Sequence, residues 1–127
     1  MSVRMVNALG DLQSIIRGPK LTVVDFFANW CGPCKAIAPA IDDLASKKPH
    51  VNFIKVDVDQ AQEIAAEYQI SAMPTLIYFK DGKVVEEFKG ADIRRLEALV
   101  EQHGNVPPPP PAIPADEELK ALKPKDL

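Results

Sequence analysis

Cysteine is nearly missing from these 127 residues: Cys31 and Cys34 are the only two, so no multi-disulfide framework supports the fold. An excess of positive charge is missing as well. The formal net charge is −3 and the pI about 5.3, which argues against nucleic-acid binding driven by phosphates. No uninterrupted apolar run reaches the roughly 20 residues that a membrane-spanning helix needs. The opening MSVRMVNALGDLQSIIRGPK has neither the apolar block nor the cleavage site of a secretory signal. Asp11, set in a helical pattern, counts against a transit peptide, and the cytosol is the expected compartment. Histidine is scarce. His50 and His103 bring no paired ligand spacing to the two cysteines, too little for a tetrahedral zinc site.

What is present is unevenly spread. All six glycines and all eight aromatics lie before residue 105, whereas seven of the twelve prolines lie in 105–127. The chain therefore divides into a globular body, 1–104, and a proline-rich extension, 105–127. With 46% of the whole chain apolar, the body can bury a core without covalent staples.

Periodicity gives the body its order. Residues 3–6 read as a strand, and 9–17 as a helix with Leu9, Leu12, Ile15 and Ile16 on one side. LTVVDFF (21–27) is a strand apolar enough to be covered on both faces. A helix follows from Pro33 to about Lys47. Pro33 suits its first turn, while Pro39 lies mid-helix and should kink it. VNFIKVDV (51–58) is a strand, and a helix runs through Ile64, Ala65 and Tyr68. Strands at 75–80 and 83–89 flank the hairpin signal Asp81-Gly82, and Asp92 opens a last helix. The order β-α-β-α-β-α-β-β-α implies an α/β fold, its sheet parallel at first and closed by an antiparallel hairpin. In such sheets chemistry gathers beyond the carboxyl ends of strands, and the loop after Phe27 is such a place.

That loop reads Ala28-Asn29-Trp30-Cys31-Gly32-Pro33-Cys34-Lys35. Cys31 falls at a helix N-terminus, where free N–H groups and the helix dipole favour a thiolate, the reactive form. Cys34, one turn on, faces the helix interior. The pattern predicts an exposed attacking sulfur and a shielded resolving one, exchanging with client disulfides. Lowering a thiol pKa from about 8.5 to about 7 raises the thiolate fraction some fifteenfold, yet reduced nucleophilicity leaves a net gain of only about threefold. Docking must supply most of the rate. As a purely structural bridge, a disulfide across so short a loop contributes about 2 kcal/mol, and Trp-Cys-Gly-Pro is not core composition for two inert thiols.

WCGPC, preceded by VVDFFANW and followed by AMPT and FKGA, resembles the thioredoxin family across about residues 2–104. The resemblance implies the thioredoxin fold, a central mixed sheet of about five strands with about four helices over its two faces. It implies a dithiol–disulfide reductase with no bound cofactor and no metal. Electrons come from NADPH through thioredoxin reductase, and oxidised client proteins receive them, in the service of electron transport and cell redox homeostasis. Asp25 interrupts an apolar strand, so burial should raise its pKa toward neutrality and make it a base for Cys34. The resemblance places Lys55 beside it, gives Pro74 a cis peptide facing the cysteines, and gathers Trp30, Gly32, Ala72, Met73, Gly90 and Ala91 into a rim that binds an extended client. Gly32-Pro33 between the cysteines resembles reducing members of the family, where oxidants of secretory compartments usually carry histidine. Phe27 stands where bacterial members often have a second tryptophan, so Trp30 is the lone indole.

Two other readings stay open: a non-catalytic binding subunit on the same fold, and an oxidase or isomerase. In the extension, VPPPPPAIP (106–114) reads as polyproline II, and 115–123 as a marginal helix with Leu119 and Leu122 on one side. A mobile tail, or one that contacts the body or a partner, fits this composition. No basic residue adjoins the prolines to favour an SH3 partner.

Overall fold

The computed structural model describes residues 3–104. The polyproline and helix expectations for 106–123 lie outside the described residues.

Alternating apolar strands and amphipathic helices fold into five strands, β1 (Val3–Met5), β2 (Thr22–Phe27), β3 (Asn52–Asp57), β4 (Thr75–Lys80) and β5 (Lys83–Lys89). The helices are α1 (Leu9–Ile16), α2 (Gly32–Lys47), α3 (Gln62–Glu67) and α4 (Ile93–Gly104). The sheet order is β1-β3-β2-β4-β5. β3 runs parallel to both β1 and β2, β4 antiparallel to β2, and β5 antiparallel to β4. This is the mixed, doubly covered α/β sheet expected.

Two cores follow from the alternation of side chains across the sheet. On one face Leu21, Val23, Phe53, Leu76 and Tyr78 meet Ile37, Ile41 and Leu44 of α2 and Leu96, Leu99 and Val100 of α4. On the other, Val24, Phe26, Ile54, Val56, Ile77 and Phe79 meet Leu12 and Ile16 of α1 and Ile64 of α3. The buried phenol of Tyr78 donates to the Leu96 carbonyl at 3.0 Å, so its one polar group is satisfied. An ion pair between Lys48 and Glu101 joins the end of α2 to α4.

Boundaries moved by a residue or so. α3 stops at Glu67, and Tyr68, expected within the helix, is its C-cap. Gln69 at φ 55° leaves helical geometry immediately afterwards. Asp81 and Gly82, at φ 54° and 81°, form the tight turn between β4 and β5, both central residues being left-handed. α2 includes Pro39 within a 16-residue span.

Candidate active site

β2 is the central strand, and its carboxyl end delivers the chain to the N-terminus of α2. Cys31 is the N-cap of that helix. Its Sγ accepts the Cys34 main-chain N–H at 3.1 Å, and Pro33 occupies the first turn, where no N–H is missed. Cys31 and Cys34 are joined as a disulfide with Cα atoms 5.3 Å apart. One helical turn brings the two Cα atoms to this separation, within reach of a disulfide.

One expectation needs correcting. Cys31 is not the open residue its position implied: in this disulfide form both cysteines are 4% exposed. The bond holds the outer sulfur to its partner, and Ala28, with Phe27, Val58 and Met73, closes around the pair. Gly32 and Pro33 between them are exposed.

Beneath lies Asp25, 6% exposed, whose Oδ1 finds no hydrogen-bond partner. Burial pushes its carboxyl up to about 7, and the charge of Lys55, directly opposite across the β2–β3 ladder, pulls back more weakly. Lys55 is half-buried, its ammonium 5.9 Å from the centre of the Phe27 ring. A cavity of about 160 Å³, lined by Asp25, Asn29, Cys34, Lys35 and Lys55 among others, connects the carboxyl with the inner cysteine. A cavity that size admits water between two polar groups.

The expected rim is assembled in part. The Met73–Pro74 peptide is cis, and Met73 packs on the sulfur cluster. Pro74 is buried, and its carbonyl accepts the N–H of Gly90 at 2.9 Å, tying the loop after β5 to the loop before β4. Ala72 is exposed, whereas Ala91 packs against the larger core instead of the sulfurs. Trp30 is 68% exposed, with its indole N–H bonded to Asp59. Asp57 and Asp59 carry no mark in the sequence beyond their place at the end of β3. That place is itself the signal, since every strand end on this side of a parallel sheet borders the same site. Among the described residues no cluster of three His, Cys, Asp or Glu side chains is placed to hold a metal.

A disulfide at a helix tip, above a buried carboxyl of raised pKa and beside a cis-proline loop, defines a dithiol–disulfide oxidoreductase. The thioredoxin family model matches residues 6–102. Thioredoxin-1 of Schizosaccharomyces pombe is 48% identical over 98 residues, which are 77% of this chain and 95% of that protein. Thioredoxin-2 of Pyricularia oryzae is 43% identical over 100 residues, 79% of this chain, but the chain spans only 58% of that protein's length. An asparagine amidase of Caenorhabditis briggsae, peptide-N(4)-(N-acetyl-beta-glucosaminyl)asparagine amidase, is 39% identical over 126 residues, 97% of this chain and 21% of that protein. The solved structure of Fasciola hepatica thioredoxin superposes with a TM-score of 0.77 at 47% identity, covering 79% of this chain and 98% of that one. The chain belongs to the thioredoxin family, and its thioredoxin domain is of the dithiol–disulfide reductase type.

Proposed function

We propose that residues 1–104 form a thioredoxin domain that reduces protein disulfides in the cytosol, with 105–127 as its extension. The observation that carries this reading is the sulfur of Cys31 held at the N-terminus of α2 and bonded to Cys34, over an unpartnered Asp25. With the bond reduced, Cys31 Sγ is freed to turn toward the rim. Its thiolate attacks one sulfur of a client disulfide, forming a mixed disulfide and expelling the other client sulfur as thiolate. Asp25, through the shared cavity, takes the proton of Cys34. The Cys34 thiolate then attacks Cys31 Sγ, releasing the second client thiolate and restoring the Cys31–Cys34 bond. Two electrons pass to the client. Thioredoxin reductase, drawing on NADPH, returns them to the disulfide, linking the cycle to electron transport and redox homeostasis.

Lys55 tempers the Asp25 pKa, so that the group titrates where the proton must move. Gly32 and Pro33 start the helix and add no bulky side chain over the sulfurs. Trp30, Ala72, Met73, Pro74 and Gly90 form the client surface, with Ala91 at its border toward the larger core, and the client binds by main-chain pairing with little side-chain preference. A reducing compartment suits the Gly-Pro pair and a chain whose two cysteines serve chemistry and not scaffolding.

The test is insulin reduction with thioredoxin reductase and NADPH, on wild type and Cys31→Ser, joined by Cys34→Ser trapping. Mixed disulfides that dithiothreitol releases support the reading. Partner capture indifferent to reductant and surviving Cys31→Ser favours a binding subunit, and rapid equilibration near the glutathione potential favours an oxidase or isomerase.

A narrower reading of the clients has one support. The alignment to the Caenorhabditis briggsae amidase covers 97% of this chain and so takes in most of 105–127. That protein's name describes action on sugar-bearing asparagine, which favours disulfide-containing glycoproteins as clients here. Proteins trapped by Cys34→Ser should then be enriched in lectin-binding species relative to those trapped by an equivalent variant of another thioredoxin; equal fractions reject it.

A further inference from the structure

β2 and β3 run parallel with Asp25 opposite Lys55 and Phe27 opposite Asp57. Side chains alternate across a strand, so all four project from one face of the sheet, the face that also gives Val23 and Phe53 to the core under α2. Lys55 therefore has a carboxyl on two sides of it. Among the described residues it is ion-paired with neither. Asp57 is engaged elsewhere: its Oδ1 accepts the Asp59 main-chain N–H at 2.9 Å, and its Oδ2 the Asn29 side-chain amide at 3.5 Å. Asp25 is not engaged in that way, since its Oδ1 is buried without a partner. The Lys55 ammonium lies instead over the Phe27 ring, 5.9 Å from its centre.

A half-buried ammonium beside an unpartnered carboxyl ordinarily moves onto it, because a charge-assisted hydrogen bond satisfies both groups. What opposes that move here is the ring. The negative face of an aromatic attracts a cation, and more strongly where water is partly excluded. Phe27 is itself held, half-buried and packed on Ala28, Cys31 and Cys34. It stands two residues along β2 from Asp25, so the ring draws the ammonium toward one end of the cavity and the carboxyl toward the other. From α2, Cys34 and the exposed Lys35 line that cavity, and from β4 the residue opposite Asp25 is the uncharged Leu76. Lys55 is the cation whose charge reaches Asp25.

We propose that Phe27 is a positioning residue for the proton step: its ring parks the Lys55 ammonium short of Asp25, which keeps that carboxyl free to take the Cys34 proton. The proposal rests on the reductase reading above. A full ion pair would stabilise the carboxylate and leave a weaker base. With no lysine at all, the carboxyl would hold its proton to higher pH. An ammonium kept at the ring sets the group between those limits. Phe27 neither gives nor takes a proton and acts only through where it holds Lys55.

The experiment follows the Asp25 carboxyl carbon by NMR across pH in the disulfide form, where neither cysteine titrates. It compares wild type, Phe27→Leu and Phe27→Tyr, each with Lys55 and with Lys55→Gln. Leucine keeps apolar bulk against the sulfurs but has no π face, and tyrosine keeps the ring. Phe27→Leu should lower the Asp25 midpoint by about 1 pH unit, a tenfold change in the acid–carboxylate ratio, and Phe27→Tyr should leave it near wild type. In the Lys55→Gln background Phe27→Leu should move nothing further, the ammonium being gone. The pH midpoint of mixed-disulfide resolution should fall in step with the carboxyl. An unchanged midpoint in Phe27→Leu, a tyrosine variant that shifts as far as leucine, or a leucine shift of full size beside Lys55→Gln overturns the proposal alone. Thermal melts confirm that the variants are folded, and if Phe27→Leu is not, Phe27→Met carries the same comparison. A wild-type protein that titrates as expected yet fails to reduce insulin overturns the reductase reading, and the proton step with it, while the placement of Lys55 stands.

Discussion

The two halves of β2 obey different rules. From Thr22 to Val24 the strand is fully buried, paired on both edges, and packed into one core or the other by alternation. Asn52 even donates its side-chain amide to the Thr22 hydroxyl at 3.3 Å. From Asp25 onward the same strand carries a buried carboxyl oxygen without a partner, gives one more side chain, Phe26, to a core, and then passes into the small cluster of Ala28, Cys31 and Cys34. The first half is built for stability. The second keeps a costly group, a departure from packing rules of the kind expected at a functional site, and it suits the base role proposed for Asp25.

The sharpest way to break this contrast is to remove the sulfur that gives the second half its purpose. Cys31→Ser should cut insulin reduction by roughly a thousandfold or more, because no other nucleophile stands at the helix tip. Stability should change far less than activity. The buried position of Cys31 in the disulfide form adds a condition: after reduction, iodoacetamide at neutral pH should modify Cys31 before Cys34. Faster labelling of Cys34 would reverse the proposed roles.

Next in size is Asp25, where both halves of the contrast meet. Below about pH 4 the folded and unfolded chains both hold the proton. Between the ordinary value of 3.8 and about 7 the unfolded chain has released it while the folded chain has not, so stability falls as pH rises. Above about 7 the loss is complete, on the order of 3–5 kcal/mol. Asp25→Asn should therefore be the more stable protein at pH 8.5, by about 3 kcal/mol, with little difference remaining at pH 4. Its resolution step should be slower and lose its titration near neutrality. Denaturant midpoints at the two pH values check the first claim, and release of a mixed disulfide across pH the second.

Which features were legible beforehand follows from the same division. Strand and helix limits in the packed half obey local periodicity, and β4 and β5 match their expected spans because Asp81-Gly82 announces the turn. Asp25 stood out as one charge in an apolar run, and its burial follows from the neighbours on either side. Cys31 misled because exposure is set by Phe27 nearby, by Val58 and Met73 distant in sequence, and by which redox state is present. Asp57 and Asp59 are singled out by no motif or pattern in the sequence. Only the parallel register of β2 and β3, with Phe27 opposite Asp57, brings their turn to the active-site loop. Beyond a place at a strand end, tertiary placement of that kind has no local signature.

Smaller changes test whether the rest of the molecule is as closely fitted as the first half of β2. Gly104, at the buried end of α4, leaves little room for a side chain: an added Cβ would meet Val51 Cγ2 at 3.0 Å and Leu21 Cδ2 at 3.3 Å, and both must give by a few tenths of an ångström. Gly104→Ala should cost about 1 kcal/mol after the better helix propensity of alanine is set against the crowding. For a domain of this size that lowers the melting temperature by roughly 4–8 °C. At the far extreme, Asp43 and Lys47 pair at 3.0 Å on the solvent side of α2, both side chains more than half exposed. Water and salt screen such a pair, and Asp43→Ala should move stability by no more than about 0.5 kcal/mol. A loss several times larger at Asp43, or none at Gly104, would mean that fit and exposure do not rank the two positions. The contrast drawn along β2 would then be particular to that strand and not a rule of the whole domain.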